Sequence, residues 1–205
     1  MQAPTININD VRTRLRREYN SLNTLTIPRL ADGYDSRRKI KNINEQAVYA
    51  KHFSVKSPAG NNWIIFMQKS PTVKEYVDKK SIRILAVSYH YGEKGITAFH
   101  LTANNGIVGF NAHFFDRYNE RMQLNLQHPL HIVKSFFRNG VYCDQAIIKL
   151  YGKKQLIAFR VDGLQLGKYH IRNGYIEWRT FVNKNLSFPD QHEVRKKLAK
   201  QRLEI

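Results

Sequence analysis

Three side chains able to act on a phosphate follow one another at four-residue spacing: His113, Arg117 and Arg121. In an α-helix, residues four apart are offset by about 40°, so the three would form one stripe along one face. Two guanidinium groups can grip a phosphate through paired hydrogen bonds, and an imidazole is the side chain most readily used as an acid or base near neutral pH. The spacing therefore predicts a site that binds a phosphate beside a proton acceptor.

The place of His113 at the start of a predicted helix over residues 112–122 favours a role as the base. The helix dipole and two neighbouring cations disfavour the imidazolium there and leave the neutral ring that a general base requires. Free N–H groups at a helix start also attract an anion. The alternative is an ordinary exposed helix face in which Arg117 pairs with Glu120. Spacing alone leaves both interpretations open.

The same helix is followed by a second helix ending at Arg138, Asn139 and Gly140, and then by antiparallel strands. Over residues 111–182 this arrangement resembles the compact BrnT-like and RelE-like ribonuclease toxins of bacterial toxin–antitoxin pairs. The resemblance implies a small helix-and-sheet domain that cleaves RNA without metal, with His113, Arg117 and Arg121 at the scissile phosphate. Those toxins are shorter than this chain, and its N-terminal half has no counterpart in them.

Alternating apolar runs and turn residues indicate the elements that must position these side chains. Asn173-Gly174 and Asp162-Gly163 are hairpin signals because their residues tolerate positive φ. Strands are predicted at residues 51–56, 63–68, 82–90, 96–101, 107–110, 155–160, 166–170 and 175–182, and the helical pair at 112–122 and 129–137. Strands, then helices, then strands again predict an α+β fold: a mainly antiparallel sheet built from hairpins, with an inserted helical pair.

The last predicted strand alternates in a way that bears on the site. Ile176, Trp178, Thr180 and Val182 should share one face, and Glu177, Arg179 and Phe181 the other. Arg179 or Thr180 would complete a phosphate pocket if this strand lies beside the helix of His113. An ion pair between Arg179 and a carboxylate on the sheet is the alternative.

Basic helices are predicted at both ends of the chain. Asn9 or Asp10 can cap the first helix, in which Val11, Leu15 and Tyr19 recur among arginines. A polar stretch at 26–35, containing a proline and a glycine, should separate it from a second helix, and residues 193–203 form a terminal one. We therefore predict a basic helical segment over 1–50 and a single α+β domain over 51–205, which together form one compact unit.

The net charge identifies the kind of partner. The chain has 34 Lys and Arg against 16 Asp and Glu, which gives a formal charge of +18. Such a surface repels itself unless an anionic partner offsets it, so RNA or DNA is the expected ligand. An acidic antitoxin or immunity protein would also fit, and the charge can serve solubility alone. The candidate nucleic-acid-binding residues are Arg14, Arg17, Arg37, Arg38, Lys39, Arg179, Thr180, Arg195, Lys196 and Lys197.

The sequence lacks the characteristic features of several protein classes. Its longest apolar run, Trp63 to Met67, is far short of the ~20 residues that span a bilayer. The first 19 residues lack the apolar centre of a secretory signal. The single cysteine, Cys143, excludes an internal disulfide and a zinc site of several thiolates. We expect a cytoplasmic protein that needs no metal or cofactor and no membrane.

Two functions remain. The first is a toxin-like, metal-independent endoribonuclease, because RNA supplies its own nucleophile in the 2′-hydroxyl. His113 would then be the base, with Arg117 and Arg121 as the electrostatic clamp and the general acid unidentified. The second is a non-catalytic nucleic-acid-binding protein that uses the same stripe for backbone phosphates. His113→Ala separates them, because only the enzyme has turnover to lose.

Overall fold

The computed structural model describes residues 7–34, 51–69, 82–102, 106–138, 144–150, 153–160 and 162–183. Across these residues nine strands form one sheet, in the order β1-β2-β3-β4-β5-β9-β8-β7-β6. Neighbouring strands are antiparallel except for β5 and β9, which are parallel and join two antiparallel meanders. The strands are β1 (Lys51–Lys56), β2 (Asn62–Lys69), β3 (Ile82–Gly92), β4 (Gly95–Leu101), β5 (Ile107–Phe110), β6 (Asp144–Leu150), β7 (Lys153–Phe159), β8 (Gly163–His170) and β9 (Tyr175–Asn183).

The predicted α+β class is confirmed, and so are the strands that alternation and turn residues predicted. Strand β6 was not predicted, because no turn signal was assigned between Cys143 and the following strand. The helices are α1 (Ile8–Ser21), α2 (Ile27–Asp32), α3 (Ala112–Arg121) and α4 (Pro129–Arg138), with a π-helical turn at Leu22–Thr26 between the first two. None of the helices that the structure describes is long and apolar enough to cross a membrane.

Helices α3 and α4 cover one face of the sheet with an aromatic core. Both helices bury phenylalanine or tyrosine against the sheet, and several of these rings meet edge to face at centroid distances near 5 Å, such as 5.0 Å between Phe114 and Phe136. Such pairs add to the free energy gained from burying the rings. The fully buried aromatic residues of this core include Phe66, Phe110, Phe114, Phe115, Tyr118, Phe136, Phe137, Trp178 and Phe181.

Helices α1 and α2 cover the opposite face over the first meander. Leu15 and Leu22 are buried against Trp63 and other residues of β2 to β5. Glu18 is also buried, and its carboxylate accepts hydrogen bonds from the Trp63 indole, at 2.8 Å, and from the Asn61 amide. Residues 8–32 of the predicted N-terminal segment thus share a core with the sheet rather than forming an appendage.

Two predictions about this segment are wrong. The cap of α1 is Asn7, whose side chain accepts from the Asn9 amide at 3.1 Å, and not Asn9 or Asp10. The stretch at 26–35 is not a linker throughout, because residues 27–32 form α2. Pro28 lies in the first turn of that helix, where its missing N–H has no intrahelical partner to lose. The predicted helix after residue 35 and the terminal helix at 193–203 lie outside the described residues.

A bulge in β9 corrects the predicted alternation of the last strand. Leu166 of β8 pairs with Thr180, but the next residue, Gly167, pairs with Trp178, so Arg179 is an extra residue. The bulge reverses the phase, and Trp178 and Phe181 both lie in the aromatic core. Val182 instead packs in a small cluster with Leu164 of β8. The prediction that Trp178 and Phe181 occupy opposite faces is therefore wrong.

Candidate nucleic-acid interface

Helix α3 presents His113, Arg117 and Arg121 along one side, as the spacing predicted. The Asn111 side chain caps the helix by accepting from the Phe114 amide at 2.9 Å. This cap fixes the first turn, in which His113 is exposed. The imidazole is thus accessible at the end of the helix where an anion is attracted.

Arg117 makes the ion pair that was the alternative interpretation of the stripe. Its Nη1 lies 2.7 Å from Oε2 of Glu120, and the two side chains are 40% and 63% exposed. An exposed pair of this kind contributes only about 0.2–1 kcal/mol to stability. A phosphate that binds here can therefore displace Glu120 at small cost, so the pair does not remove Arg117 from the candidate site.

Arg121 is tied to the sheet. Its Nη1 donates to the main-chain oxygen of Phe181, and Asn183 donates from Nδ2 to the Arg121 carbonyl at 2.8 Å. Strand β5 ends at Phe110, opposite Trp178, so the Phe181 oxygen lies beyond the last residue that β5 pairs. Arg121 satisfies this oxygen and holds α3 against β9. A role in gripping phosphate would have to coexist with that contact.

Strand β9 does lie against α3, but it does not bring Arg179 or Thr180 to the stripe. Thr180 pairs with Leu166, which packs in the cluster on the other face of the sheet from the aromatic core. Arg179 donates from Nε and Nη2 to Oε2 of Glu177, at 2.9 and 2.7 Å. The bulge therefore separates these residues from His113, and the ion pair on the sheet is the outcome for Arg179.

Two predicted binding residues, Arg14 and Arg17, are exposed on α1. With Asn7, Asp10 and Val11 they line a shallow, open depression of about 360 Å³. The Arg14 guanidinium also lowers the pKa of His90 on β3. Desolvation of the ring is the larger cause of that lowered pKa. The depression is a cationic surface with room for a phosphate group.

A second basic surface joins α4 to the edge strand β1. Lys134 and Arg138 lie one turn apart on α4, and both lower the pKa of His52 on β1, after the larger effect of burial. The four-residue spacing of the two cations was a signal in the sequence that we did not use. No signal in the sequence placed His52 beside them, because β1 and α4 are far apart along the chain.

The remaining predicted binding residues are Arg37, Arg38, Lys39, Arg195, Lys196 and Lys197, and they lie outside the described residues. Within the described ranges no group of three or more His, Cys, Asp or Glu side chains is arranged to hold a metal ion.

No protein-family model, curated protein or solved structure matches this chain. The resemblance of residues 111–182 to the ribonuclease toxins therefore stays a prediction.

Proposed function

We propose that this protein binds nucleic acid, with RNA as the natural ligand, through the basic surfaces of α1, α3 and α4. The proposal rests on the charge balance of the surface. Four carboxylates of the described residues are held by groups of the same chain: Glu18 by Asn61 and Trp63, Glu120 by Arg117, Asp162 by Arg160, and Glu177 by His170 and Arg179.

Beyond these pairs cations remain in excess, because the chain has 34 Lys and Arg against 16 Asp and Glu. Arg14 and Arg17 line an open depression, and Lys134 lies with Arg138 near His52 on the opposite face of the sheet. Phosphates at these positions would release their counterions to solvent, which makes binding favourable and strongly salt-dependent. Cations on both faces suit a long strand that wraps the domain better than a small anionic ligand.

The test is the salt dependence of binding by the double variant Arg14→Ala/Arg17→Ala. Each lost phosphate contact should reduce the slope of log K against log salt by about 0.7 for a single strand or 0.9 for a duplex. Binding to fluorescent RNA and DNA oligomers is measured at several salt concentrations by anisotropy. Arg29→Ala, an exposed arginine on α2, is the matched control. An unchanged slope in the double variant would show that the charge of α1 serves only solubility.

A second candidate function is metal-independent RNA cleavage at α3, favoured by the exposure of His113 in the first helical turn. The ring could take the proton of a 2′-hydroxyl while Arg117 leaves its weak ion pair for the phosphate. No metal is needed for this reaction, because the nucleophile belongs to the RNA. The products would be a 2′,3′-cyclic phosphate and a 5′-hydroxyl.

Incubation of the protein with RNA in EDTA, with analysis of the new ends, tests this candidate. His113→Ala should lose turnover by about a hundredfold or more while RNA affinity is kept, as expected for a general base. His131→Ala, an exposed histidine on α4, is the control for removing an imidazole from the surface. Intact RNA, or cleavage only after metal is added, would exclude the enzyme and leave the binding protein.

A further inference from the structure

A cluster of ionisable side chains lies at the β8–β9 hairpin, on the face of the sheet opposite α3. Nε2 of His170 is 3.3 Å from Oε2 of Glu177, and the same oxygen accepts from Nη2 of Arg179 at 2.7 Å. The His170 ring stacks on Tyr175, with centroids 5.3 Å apart. Of these residues, sequence analysis selected only Arg179, because the others acquire meaning only through the pairing of the two strands.

The register of the hairpin explains why these side chains meet. His170 pairs with Tyr175, and Lys168 pairs with Glu177, so all four side chains project from one face of the sheet. The turn between the strands is tight, and Gly174 adopts a left-handed conformation with φ 52°. Arg179, the extra residue of the bulge, donates from Nε and Nη2 to Oε2 of Glu177.

Helix α1 contributes a further cation at the same end of the sheet. Gly174, the residue before Tyr175, has no Cβ, and Nη2 of Arg12 lies 3.5 Å from the position that a Cβ would occupy there. Nε of Arg12 is buried, and among the described residues it has no hydrogen-bond partner. A buried donor without an acceptor is unfavourable unless a ligand or water satisfies it. This end of the sheet therefore has room for an acceptor that the described residues do not provide.

The cluster is neither neutralised nor closed to solvent. One carboxylate, Glu177, serves His170 and Arg179 and lies opposite Lys168, so positive charge remains in excess. His170 and Glu177 are 31% and 23% exposed, and Arg179 is 53% exposed. A phosphate from solvent can therefore reach the imidazole and the guanidinium together.

We propose that this cluster is an RNA-cleaving site in which His170 is the general base. The inference rests on the proposed binding of RNA and assigns the chemistry to β8 and β9 instead of α3. The Nε2–H group of His170 donates to Glu177, and this contact orients the ring so that Nδ1, for which the described residues offer no hydrogen bond, can accept a proton. Glu177 is thus a positioning residue, while Arg179 binds the phosphate oxygens.

The reaction balances without a cofactor. The 2′-oxygen bonds to phosphorus as its proton passes to Nδ1 of His170, and the bond from phosphorus to the 5′-oxygen breaks. The 5′-oxygen takes a proton from water, and the imidazolium returns its own proton to the hydroxide so formed. Arg179 stabilises the charge that gathers on the phosphate oxygens in the transition state, where such a donor has its largest effect.

Two neighbouring features suit this substrate. Burial and the Glu177 carboxylate raise the pKa of Tyr175 to about 12, so its phenol stays protonated and can donate to a phosphate oxygen. Ile171 follows His170 in the chain and is 79% exposed, so it offers an apolar contact to a base at this end of the hairpin.

The test compares His170→Gln and Arg179→Gln with the wild-type full-length chain, in EDTA, on a single-stranded RNA oligomer. We expect His170→Gln to lower kcat by about a hundredfold or more. Arg179→Gln, at a more exposed position, should lower it by at least about tenfold with the fold intact. His131→Ala is again the control. Wild-type rates in both variants would overturn the inference.

Glu177 needs a readout that separates positioning from folding. Glu177→Gln should lower kcat with KM within about twofold of the wild type, and Glu177→Asp should recover part of the lost rate, because a carboxylate still orients the ring. A loss confined to KM, or no recovery by aspartate, would overturn the positioning role.

The outcomes also separate this inference from the proposed function. If the wild type binds RNA but never cleaves it in EDTA, the catalytic inference is overturned and the binding proposal stands. If cleavage is abolished by His113→Ala and kept in His170→Gln, the base lies on α3 and the inference is again overturned. If the wild type fails to bind RNA, the proposed function itself is excluded.

Discussion

Arg160 is the most deeply buried cation in the described part of the chain, with its side chain 1% exposed. Its Nε and Nη2 donate to the two carboxylate oxygens of Asp162 at 2.8 and 2.9 Å, and Nη2 also donates to the Phe136 carbonyl at 3.2 Å. The guanidinium lies 4.2 Å from the centre of the Phe136 ring. One side chain thus joins the turn between β7 and β8 to helix α4 and its aromatic core.

Asp162→Ala should therefore destabilise the fold by about 3–5 kcal/mol, because it leaves a buried guanidinium without its carboxylate. The free energy of unfolding is measured by urea denaturation. Glu120→Ala removes the carboxylate of an exposed pair and should cost less than about 1 kcal/mol, so it is the matched control. Equal losses in the two variants would contradict the distinction drawn between a structural and an exchangeable ion pair.

At the scale of elements, the sequence predicted what local patterns determine. Apolar alternation and the turn at Asn173-Gly174 predicted β8 and β9, and the helix predicted over residues 112–122 is α3. The polar stretch at 26–35, which contains Pro28, was predicted to separate two helices, although the first turn of α2 accommodates the proline. The prediction was wrong because a proline is compatible with the start of a helix as well as with a linker.

The candidate site depends still more on contacts between residues that are far apart in the sequence. Helical spacing predicted the stripe of His113, Arg117 and Arg121, but the acceptor of Arg121 lies on Phe181, 60 residues along the chain. The bulge at Arg179 could not be predicted from the sequence either, because an alternating pattern assumes an unbroken register. Pairing between strands decides which side chains meet, and one sequence contains little information about it.

At the scale of the whole molecule, three histidines make stability depend on pH. Partial desolvation lowers the pKa of His52 and His90, which stay exposed, and nearby cations lower it further. Burial lowers the pKa of His100. For His100 a hydrogen bond between Nδ1 and the Leu101 carbonyl, at 3.1 Å, opposes the effect of burial. In each case the unfolded chain binds a proton more readily than the native protein does.

Each of these histidines contributes fully above its unfolded pKa of about 6.5, and the contribution is lost as the pH falls below that value. We expect the urea midpoint to decrease as the pH is lowered from about 7 to 5. His100→Gln, which cannot take up a proton, should flatten the curve. A midpoint that rises on acidification would show that these rings gain protons on folding instead.

The parallel contact between β5 and β9 has a consequence for synthesis on the ribosome. Strand β5 contains the buried residues Ile107, Val108 and Phe110, and its second neighbour in the sheet is the last strand of the described chain. A nascent chain that has completed the first meander therefore displays an apolar strand edge until β9 emerges. Such an edge invites pairing between chains. The first meander is thus the part of the protein for which co-translational protection by a chaperone would matter most.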